Sequence, residues 1–343
     1  MPPDPNRGLG AFDIITPMPT PAIHLQDLCK TYVVSEREAG VGAALRSLVH
    51  RRTQEITAVD GLTFDLAPGE VVGFLGPNGA GKTTTLKMLS GLLHPTGGDC
   101  RVLDHLPWKR ERAFLRQITL VMGQRNQLVW DIPAADSFDL NRAIYRLPLA
   151  DYRRTLDELT DLLDLGPLLK KPVRNLSLGE RMKCEIAAAL LHRPQVVFLD
   201  EPTIGLDVTM QRRIREFIAE YNRRSGATVL LTSHYMADVE ALCRRVIVIH
   251  RGKLLFDGDL SDLVQQFTAH KTIVLQLEDC QANLHAYGEV ISCEDGRFTL
   301  RVPKAETAHV TERLLADLPV IDLLVEDPPI EEVIERVFTQ AVP

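Results

Sequence analysis

Eight consecutive residues, Gly76-Pro77-Asn78-Gly79-Ala80-Gly81-Lys82-Thr83, fit the pattern G-x-x-x-x-G-K-[ST] of a phosphate cradle. Glycines let backbone N–H groups turn inward around an anion, and a helix that opens at the same point adds the positive end of its dipole. Lys82 is placed to reach the β- and γ-phosphates of a nucleotide, Thr83 offers a hydroxyl to Mg²⁺, and Thr84 joins the same phosphate-binding set. From average residue usage, a chance match in a chain of this length is on the order of one per cent. The run Val196-Val197-Phe198-Leu199-Asp200-Glu201 supplies what the cradle lacks. A buried strand would deliver Asp200 to its C-terminal end, where α/β sheets bind ligands. There Asp200 can hold Mg²⁺ and Glu201 can polarise an attacking water.

Elements of an α/β fold must position these groups. Glu70–Leu75 is a short apolar run that leads into the glycine-rich loop and reads as a buried strand, with Pro68-Gly69 as the turn before it and Ala58–Leu66 as the strand before that. Val229–Thr232 and Val246–Ile249 read as further buried strands, and Thr119–Met122 as another. Strands that alternate with helices imply a largely parallel sheet. Residues 131–193 carry helical spacing: Leu156, Leu159, Leu162 and Leu163 share one helix face, and Ile186, Ala189 and Leu190 another. Residues 1–20 are Pro-rich and read as a flexible lead-in. Residues 34–55 read as an insertion, in which Val41, Ala44, Leu45, Leu48 and Val49 share a helical face beside Arg46, His50, Arg51 and Arg52. Two readings of that helix stand: a basic amphipathic segment at a membrane or partner surface, and a surface helix packed on its own domain.

The rhythm changes near residue 268. Thr272–Leu277 reads as a strand, Val290–Cys293 and Phe298–Val302 as a hairpin around Asp295-Gly296, Glu306–Leu315 as a helix, Ile321–Val325 as a strand and Ile330–Val337 as a last helix. With a helix at 280–287 this order is that of a small ferredoxin-like domain. Residues 269–343 are therefore expected to form an accessory α+β domain, a dimer contact or regulatory unit on one reading and a solvated appendage on the other.

Composition narrows the function classes. The chain has 343 residues and a net charge of −7. Residues 271–343 hold 6 basic and 14 acidic side chains, so the tail carries −8 and the remainder +1. No strong basic field is available for a phosphate backbone, so no nucleic-acid partner is expected. The six cysteines are scattered, without a close pair, and read as buried thiols of a reducing compartment. No apolar run reaches the ~18–20 residues needed to cross a bilayer.

Asn175-Leu176-Ser177-Leu178-Gly179-Glu180 lies 24 positions before Glu201, counted from Ser177, and resembles the signature motif of the ATP-binding cassette family. Around it the other family landmarks occur in order. Tyr32 is similar to the aromatic that stacks on adenine, and Gln124 to the glutamine that joins the core to a helical subdomain and reaches Mg²⁺ and the attacking water. Gln127, three residues on, competes for that place. Gly205-Leu206-Asp207 resembles the loop that touches the opposite subunit, and His234 the switch histidine at the γ-phosphate. The resemblance implies a P-loop NTPase cassette over residues 21–268: a RecA-like sheet plus antiparallel strands, with a helical subdomain inserted at 131–193. It implies ATP and Mg²⁺ as ligands, with Ser177, Gly179 and Asp207 meeting the nucleotide of a second ATPase subunit. Catalysis would fall to Lys82, Gln124, Glu201 and His234. The chain departs from the family pattern at Leu178, where a glycine is usual, and at Glu180, where a glutamine is usual. A carboxylate there would repel a triphosphate unless it turns away or pairs, for example with Arg181.

The run Gly123-Gln124-Arg125-Asn126-Gln127-Leu128-Val129-Trp130-Asp131 is similar to ATPases of ABC-2-type exporters. That likeness implies a peripheral subunit at the cytoplasmic face of a membrane, driving a separate permease. A soluble cassette ATPase acting on DNA or ribosomes is the competing reading, and a nucleotide-regulated scaffold is a third. Gln124 and Ser177 are only 53 positions apart, with no heptad arm between them, which weighs against the soluble class.

Overall fold

A computed structural model describes residues 20–35, 53–123, 127–278, 283–294 and 296–340 of the chain. β1 (Ile23–Ser35) and β2 (Thr53–Leu66) are followed by β3 (Val71–Leu75), α1 (Lys82–Leu89), β4 (Gly97–Val102) and β5 (Ile118–Met122). Three helices come next: α2 (Ala134–Tyr145), α3 (Leu149–Leu163) and α4 (Leu178–Leu190). Strands and helices then alternate through β6 (Val196–Asp200), α5 (Val208–Ser225), β7 (Thr228–Thr232), α6 (Met236–Leu242) and β8 (Arg245–His250). β9 (Lys253–Asp259), α7 (Leu260–Phe267) and β10 (His270–Leu277) follow. The last described elements are β11 (Glu289–Glu294), β12 (Arg297–Pro303), α8 (Thr307–Asp317), β13 (Val320–Glu326) and α9 (Ile330–Gln340).

A six-stranded sheet in the order β5-β6-β7-β3-β8-β9 is the platform of the molecule. Its first five strands are parallel and β9 runs antiparallel to β8. Side chains alternate across a strand, so each apolar run feeds two cores. Val197 and Leu199 of β6 and Val246 and Val248 of β8 face one cluster, shared with α4 and α5. Val196, Phe198, Ile247 and Ile249 face the other, shared with α1 and the antiparallel sheet β2-β1-β4. Burial on both faces is why these strands read as unbroken apolar runs. The fold is the expected one: a mixed α/β cassette with antiparallel strands to one side and helices over residues 134–190.

The long β1–β2 pair changes the edges of the expected insertion. β1 continues to Ser35 and β2 begins at Thr53, in register from Thr31↔Thr57 to Ser35↔Thr53. Residues 34–35 and 53–55 are therefore strand. Thr53, Gln54 and Glu55 are exposed, so cross-strand hydrogen bonding extends the pair there without apolar alternation. The lead-in up to residue 19, Gln124 and the expected basic helix from Val41 to Arg52 lie outside the described residues.

The third sheet runs β11-β12-β10-β13, all antiparallel. β10 and β11 point the same way with β12 between them, as a split β-α-β unit requires. The helix expected at 280–287 is not seen over residues 283–287, where turns carry Leu284 inward. One face of this sheet, with Ile273, Leu275, Phe298 and Leu300, packs against Val310 and Leu314 of α8. α9 then returns to the cassette. Ile330, Ile334 and Val337, one helical face, join the cluster that holds Leu263 of α7. Among the described cysteines, Cys100, Cys184 and Cys243 are buried, and burial pushes each thiol up to about 12. Cys293, on the edge strand β11, is exposed.

His192 ties the helical region to the platform. Its ring stacks on Tyr145 of α2 at a centroid distance of 4.0 Å, and its Nε2 lies 3.0 Å from the Ile118 carbonyl oxygen at the start of β5. Burial lowers its pKa from 6.5 to about 4. The folded value lies below the unfolded one, so the neutral ring's contribution is present above about pH 6.5 and is lost as pH falls toward 4. That loss amounts to about 3 kcal/mol. Denaturant unfolding from pH 7 to pH 4.5 should show it, and the fall should be shallower in His192→Phe.

Candidate active site

β3 ends at Leu75, and the chain turns through the glycine-rich loop into α1. A Cβ on Gly81 would lie 2.5 Å from the Ala58 carbonyl oxygen, and Gly81 itself has φ +108. Neither the space nor the backbone conformation admits another residue there. Lys82 opens α1 and is buried. Its Nζ donates to the carbonyl oxygens of Gly76 (2.5 Å) and Pro77 (3.2 Å), which bends the ammonium over the loop. Burial lowers the Lys82 pKa, while the Glu201 and Asp200 carboxylates pull it back up. An ammonium in this position is poorly hydrated and faces the loop, an arrangement suited to phosphate oxygens. Asn78 and Gly79 form the exposed tip, Ala80 is buried behind it, and Thr84 sits half-buried in the first turn of α1.

Asp200 ends the fully buried β6. Its Oδ2 accepts from Thr83 Oγ1 at 2.9 Å, and its Oδ1 accepts from Thr232 Oγ1 at 2.7 Å. The hydroxyl and the carboxylate expected to hold Mg²⁺ are thus in direct contact. Among the described residues no group of three or more His, Cys, Asp or Glu could hold a metal ion by itself. One carboxylate and one hydroxyl suit Mg²⁺, a hard ion that keeps several waters and takes its remaining ligands from substrate phosphates.

Glu201 follows with φ 55, a left-handed conformation that costs a non-glycine residue about 1–3 kcal/mol. Two bonds from its N–H hold it there, to Thr232 O and Thr232 Oγ1, both at 3.1 Å. The turn aims the side chain at His234, whose Nε2 lies 2.8 Å from Glu201 Oε1. Gly123 closes in from β5: its N–H donates to Asp200 O at 2.9 Å, and a Cβ there would stand 2.2 Å from Glu201 O. Gln124, next in the chain, lies outside the described residues. Gln127, its competitor, is engaged elsewhere, since its Nε2 donates to the Leu120 carbonyl at 2.8 Å.

Lys82, Thr83, Asp200, Glu201 and His234 are therefore brought together in one place. Thr232 belongs with them and went unread in the sequence. Its only signal was a hydroxyl residue at the end of a buried strand, two positions before His234. Tyr32 stands to the side on β1, paired with Ile56 of β2, and its ring face carries Lys30 Nζ at 5.3 Å. Ile56 lies two residues before Ala58, whose carbonyl oxygen is the group that a Cβ on Gly81 would meet.

The signature lies apart. Among the described residues no hydrogen bond or ion pair joins residues 177–180 to residues 76–84. Ser177 is the exposed N-cap of α4, in a full capping box with Glu180. Ser177 Oγ accepts from Glu180 N at 3.2 Å, and Glu180 Oε2 accepts from Ser177 N at 2.8 Å. Lys171 Nζ adds a bond to Glu180 Oε1 at 3.3 Å. The Ser177 N–H first, and Lys171 after it, hold the Glu180 carboxyl below its ordinary pKa. The acidic departure from the family pattern is thus turned back into its own helix end. Its partner is Lys171; Arg181 instead lies over the Trp130 ring at 5.6 Å. Leu178 is exposed against Gly205, and a Cβ on Gly179 would come within 2.9 Å of Met210 Cγ. Asp207 is likewise a cap, its Oδ1 accepting from Met210 N at 2.9 Å to start α5. Glu180→Ala should destabilise the chain by about 1 kcal/mol. Glu180→Gln, which keeps the box, should stay within about 0.5 kcal/mol of the parent in denaturant unfolding.

A family model described as ABC transporter matches residues 59–204, and one described as EvrA-like ABC transporter, C-terminal domain, matches residues 269–326. The ABC transporter ATP-binding protein NatA of Bacillus subtilis is 34% identical over 210 residues, which span 61% of this chain and 85% of NatA. The Nod factor export ATP-binding protein I of Ralstonia nicotianae is 35% identical over 221 residues, 63% of this chain and 67% of that protein. A solved structure of the ATP binding subunit of an ABC transporter superposes with a TM-score of 0.60 at 26% identity, covering 72% of this chain and 93% of that one. With its phosphate loop, its Asp200–Glu201 pair and its capped signature helix, this chain belongs to the ATP-binding proteins of the ABC transporter family and is an ATPase.

Proposed function

We propose that the chain hydrolyses MgATP at a head-to-tail interface between two copies and so drives a separate membrane permease, as the ATPase of an exporter. The observation that carries this reading is the split site. The phosphate loop, Asp200, Glu201 and His234 are gathered on one side, whereas Ser177 sits on an exposed helix end bonded to none of them. The capping bond uses a lone pair of Ser177 Oγ and leaves its O–H proton to donate. A second copy places that hydroxyl, with the positive end of α4, on the γ-phosphate. Tyr32 stacks on the adenine, and Gly179 and Asp207 line the partner's half of the site.

Within one copy, Lys82 leaves its loop carbonyls for the β- and γ-phosphate oxygens. Thr83 and Asp200 would hold Mg²⁺, with Gln124 as a further ligand by family resemblance, and the ion would supply neutralisation of charge on the phosphates. Glu201 keeps one oxygen on His234 and turns the other to the water, taking its proton as the water attacks the γ-phosphorus and the bond from that phosphorus to the β,γ-bridging oxygen breaks, releasing ADP and phosphate. His234 fixes that carboxylate and follows the γ-phosphate. ATP thus holds two copies together, and its hydrolysis releases them.

The reading as a peripheral subunit at the cytoplasmic face rests on the family and on the absence, among the described residues, of any helix long and apolar enough to cross a membrane. The chain divides near residue 268 into the cassette and an accessory unit. A basic groove of about 540 Å³, lined by Arg112, Arg116, Tyr145 and Arg146 with exposed Ile144, fits a permease segment bearing carboxylates and an apolar contact. The helical region between β5 and the signature comprises α2 of 12 residues and α3 of 15 residues, too short for the arms of DNA-acting cassettes.

Glu201→Gln should slow hydrolysis by about 10²–10⁴-fold while ATP binding persists, and ATP should then trap a dimer visible by sedimentation. Normal turnover in that variant, or a chain that stays monomeric with ATP, would sink the reading. Reversing Arg116 and Arg146 together to Glu should abolish co-purification of membrane proteins from detergent extracts and leave ATP binding intact. Unchanged recovery of the permease would remove this groove as its seat.

A further inference from the structure

One buried carboxylate near the site has no part in the steps above. Asp238, in the short helix α6, is 1% exposed. Its Oδ2 accepts from Thr203 Oγ1 at 2.5 Å and from Ser233 Oγ at 2.7 Å. Its Oδ1 accepts from Arg215 Nη1 of α5 at 2.7 Å. A buried carboxylate is tolerated only when its oxygens are paired, and here every partner is a donor. The partners come from different places. Thr203 lies two residues after Glu201, in the turn where Ile204 N donates to Glu201 O at 3.3 Å. Ser233 lies one residue before His234, and its Oγ also accepts from Tyr235 N at 3.0 Å, which closes the turn that carries the histidine. Asp238 N donates to Tyr235 O at 3.0 Å from the far side of the same turn.

We propose that Asp238 is a positioning residue: it clamps the turn that carries Glu201 to the turn that carries His234 and so sets the separation of the two side chains. Each strand end has one tie of its own. Thr232 fixes the backbone of Glu201 and one oxygen of Asp200. Asp238 fixes what lies beyond, through the hydroxyls of Thr203 and Ser233, and Arg215 anchors the carboxylate to α5. The 2.8 Å contact between Glu201 and His234 spans two turns whose other hydrogen-bonded cross-connections, among the described residues, are this clamp and Thr232. A hydroxyl lost from either turn frees that turn against the other. The nucleotide-binding groups of the loop after β3 are left untouched.

The inference rests on the roles assigned to Glu201 and His234, so its test separates the two. Turnover and ATP affinity of the full chain are measured for Thr203→Val, Thr203→Ser, Asp238→Asn and Glu201→Gln. Thr203→Val keeps shape and loses the hydroxyl. It should lower kcat by about 10- to 100-fold, the effect of a small misplacement of catalytic groups, with ATP Kd within about threefold of the parent. Thr203→Ser restores the hydroxyl and should recover turnover. Thr203→Val added to Asp238→Asn should cost little more than Asp238→Asn alone, because both remove the same tie. Turnover of Thr203→Val within about twofold of the parent overturns the clamp. So does a loss shared equally by the Ser and Val variants, or one matched by a loss of ATP binding, since either marks a purely structural role. If Glu201→Gln turns ATP over normally, the assignment of the base falls, whatever Thr203→Val does.

Discussion

The carboxylate of Asp200 is the constraint around which the site is arranged. It sits at the end of a strand buried on both faces, where an ionised group is stable only with donors on each oxygen. Thr83 and Thr232 supply one each, and they belong to the two elements that must meet there: the helix of the phosphate loop and the strand that leads to His234. Satisfying one buried charge thus fixes three pieces of the chemistry relative to one another. The left-handed turn at Glu201 follows from the same arrangement, because Thr232 holds its N–H as well. The strain in that turn is offset by the two bonds from the Glu201 N–H to the same threonine that holds Asp200.

The apolar framework explains why this geometry can be rigid. β3, β6, β7 and β8 place alternate side chains into two cores, so a slip by one residue would send each set of side chains into the core shaped for the other, and close packing resists the exchange. The ends of these strands, where Gly76, Asp200 and His234 follow, inherit that fixed register. The third sheet has its own small core, and Ile330, Ile334 and Val337 of α9 pack into the core shared with the six-stranded sheet.

What could be read from the sequence and what could not divide along physical lines. Val196–Asp200 and Val71–Leu75 were legible because burial on both faces demands unbroken apolar residues. The phosphate loop was legible because Gly81 occupies a position closed to any side chain. Residues 53–55 were not legible as strand, since exposed Thr, Gln and Glu carry no alternation and only the partner β1 makes them extended. The fate of Glu180 was open in one dimension: its repulsion of a triphosphate is avoided by a bond three residues back and by a lysine nine residues back. Thr232 and Asp238 act through contacts 31 to 35 positions along the chain, a distance at which spacing alone carries no information. Cys293 escaped the reading of buried thiols because nothing local distinguishes an edge strand from an inner one.

α4 carries the signature at its start and a buried carboxylate in its middle. Ser177 caps its first turn, and eight positions on, Glu185 buries a carboxylate that accepts from Gln127 N at 2.8 Å and Leu128 N at 3.3 Å. Burial raises the Glu185 pKa and those two N–H groups lower it. The backbone leaving the Gln124 segment is therefore held by the same helix that presents the signature. A displacement of α4 that left residues 127–128 behind would strand a buried carboxylate without its donors, at about 1–3 kcal/mol or more for a charged group. Over small movements the helix and that backbone travel together. The exposed Ser177 cap and the backbone of residues 127–128 are thus held by one and the same helix.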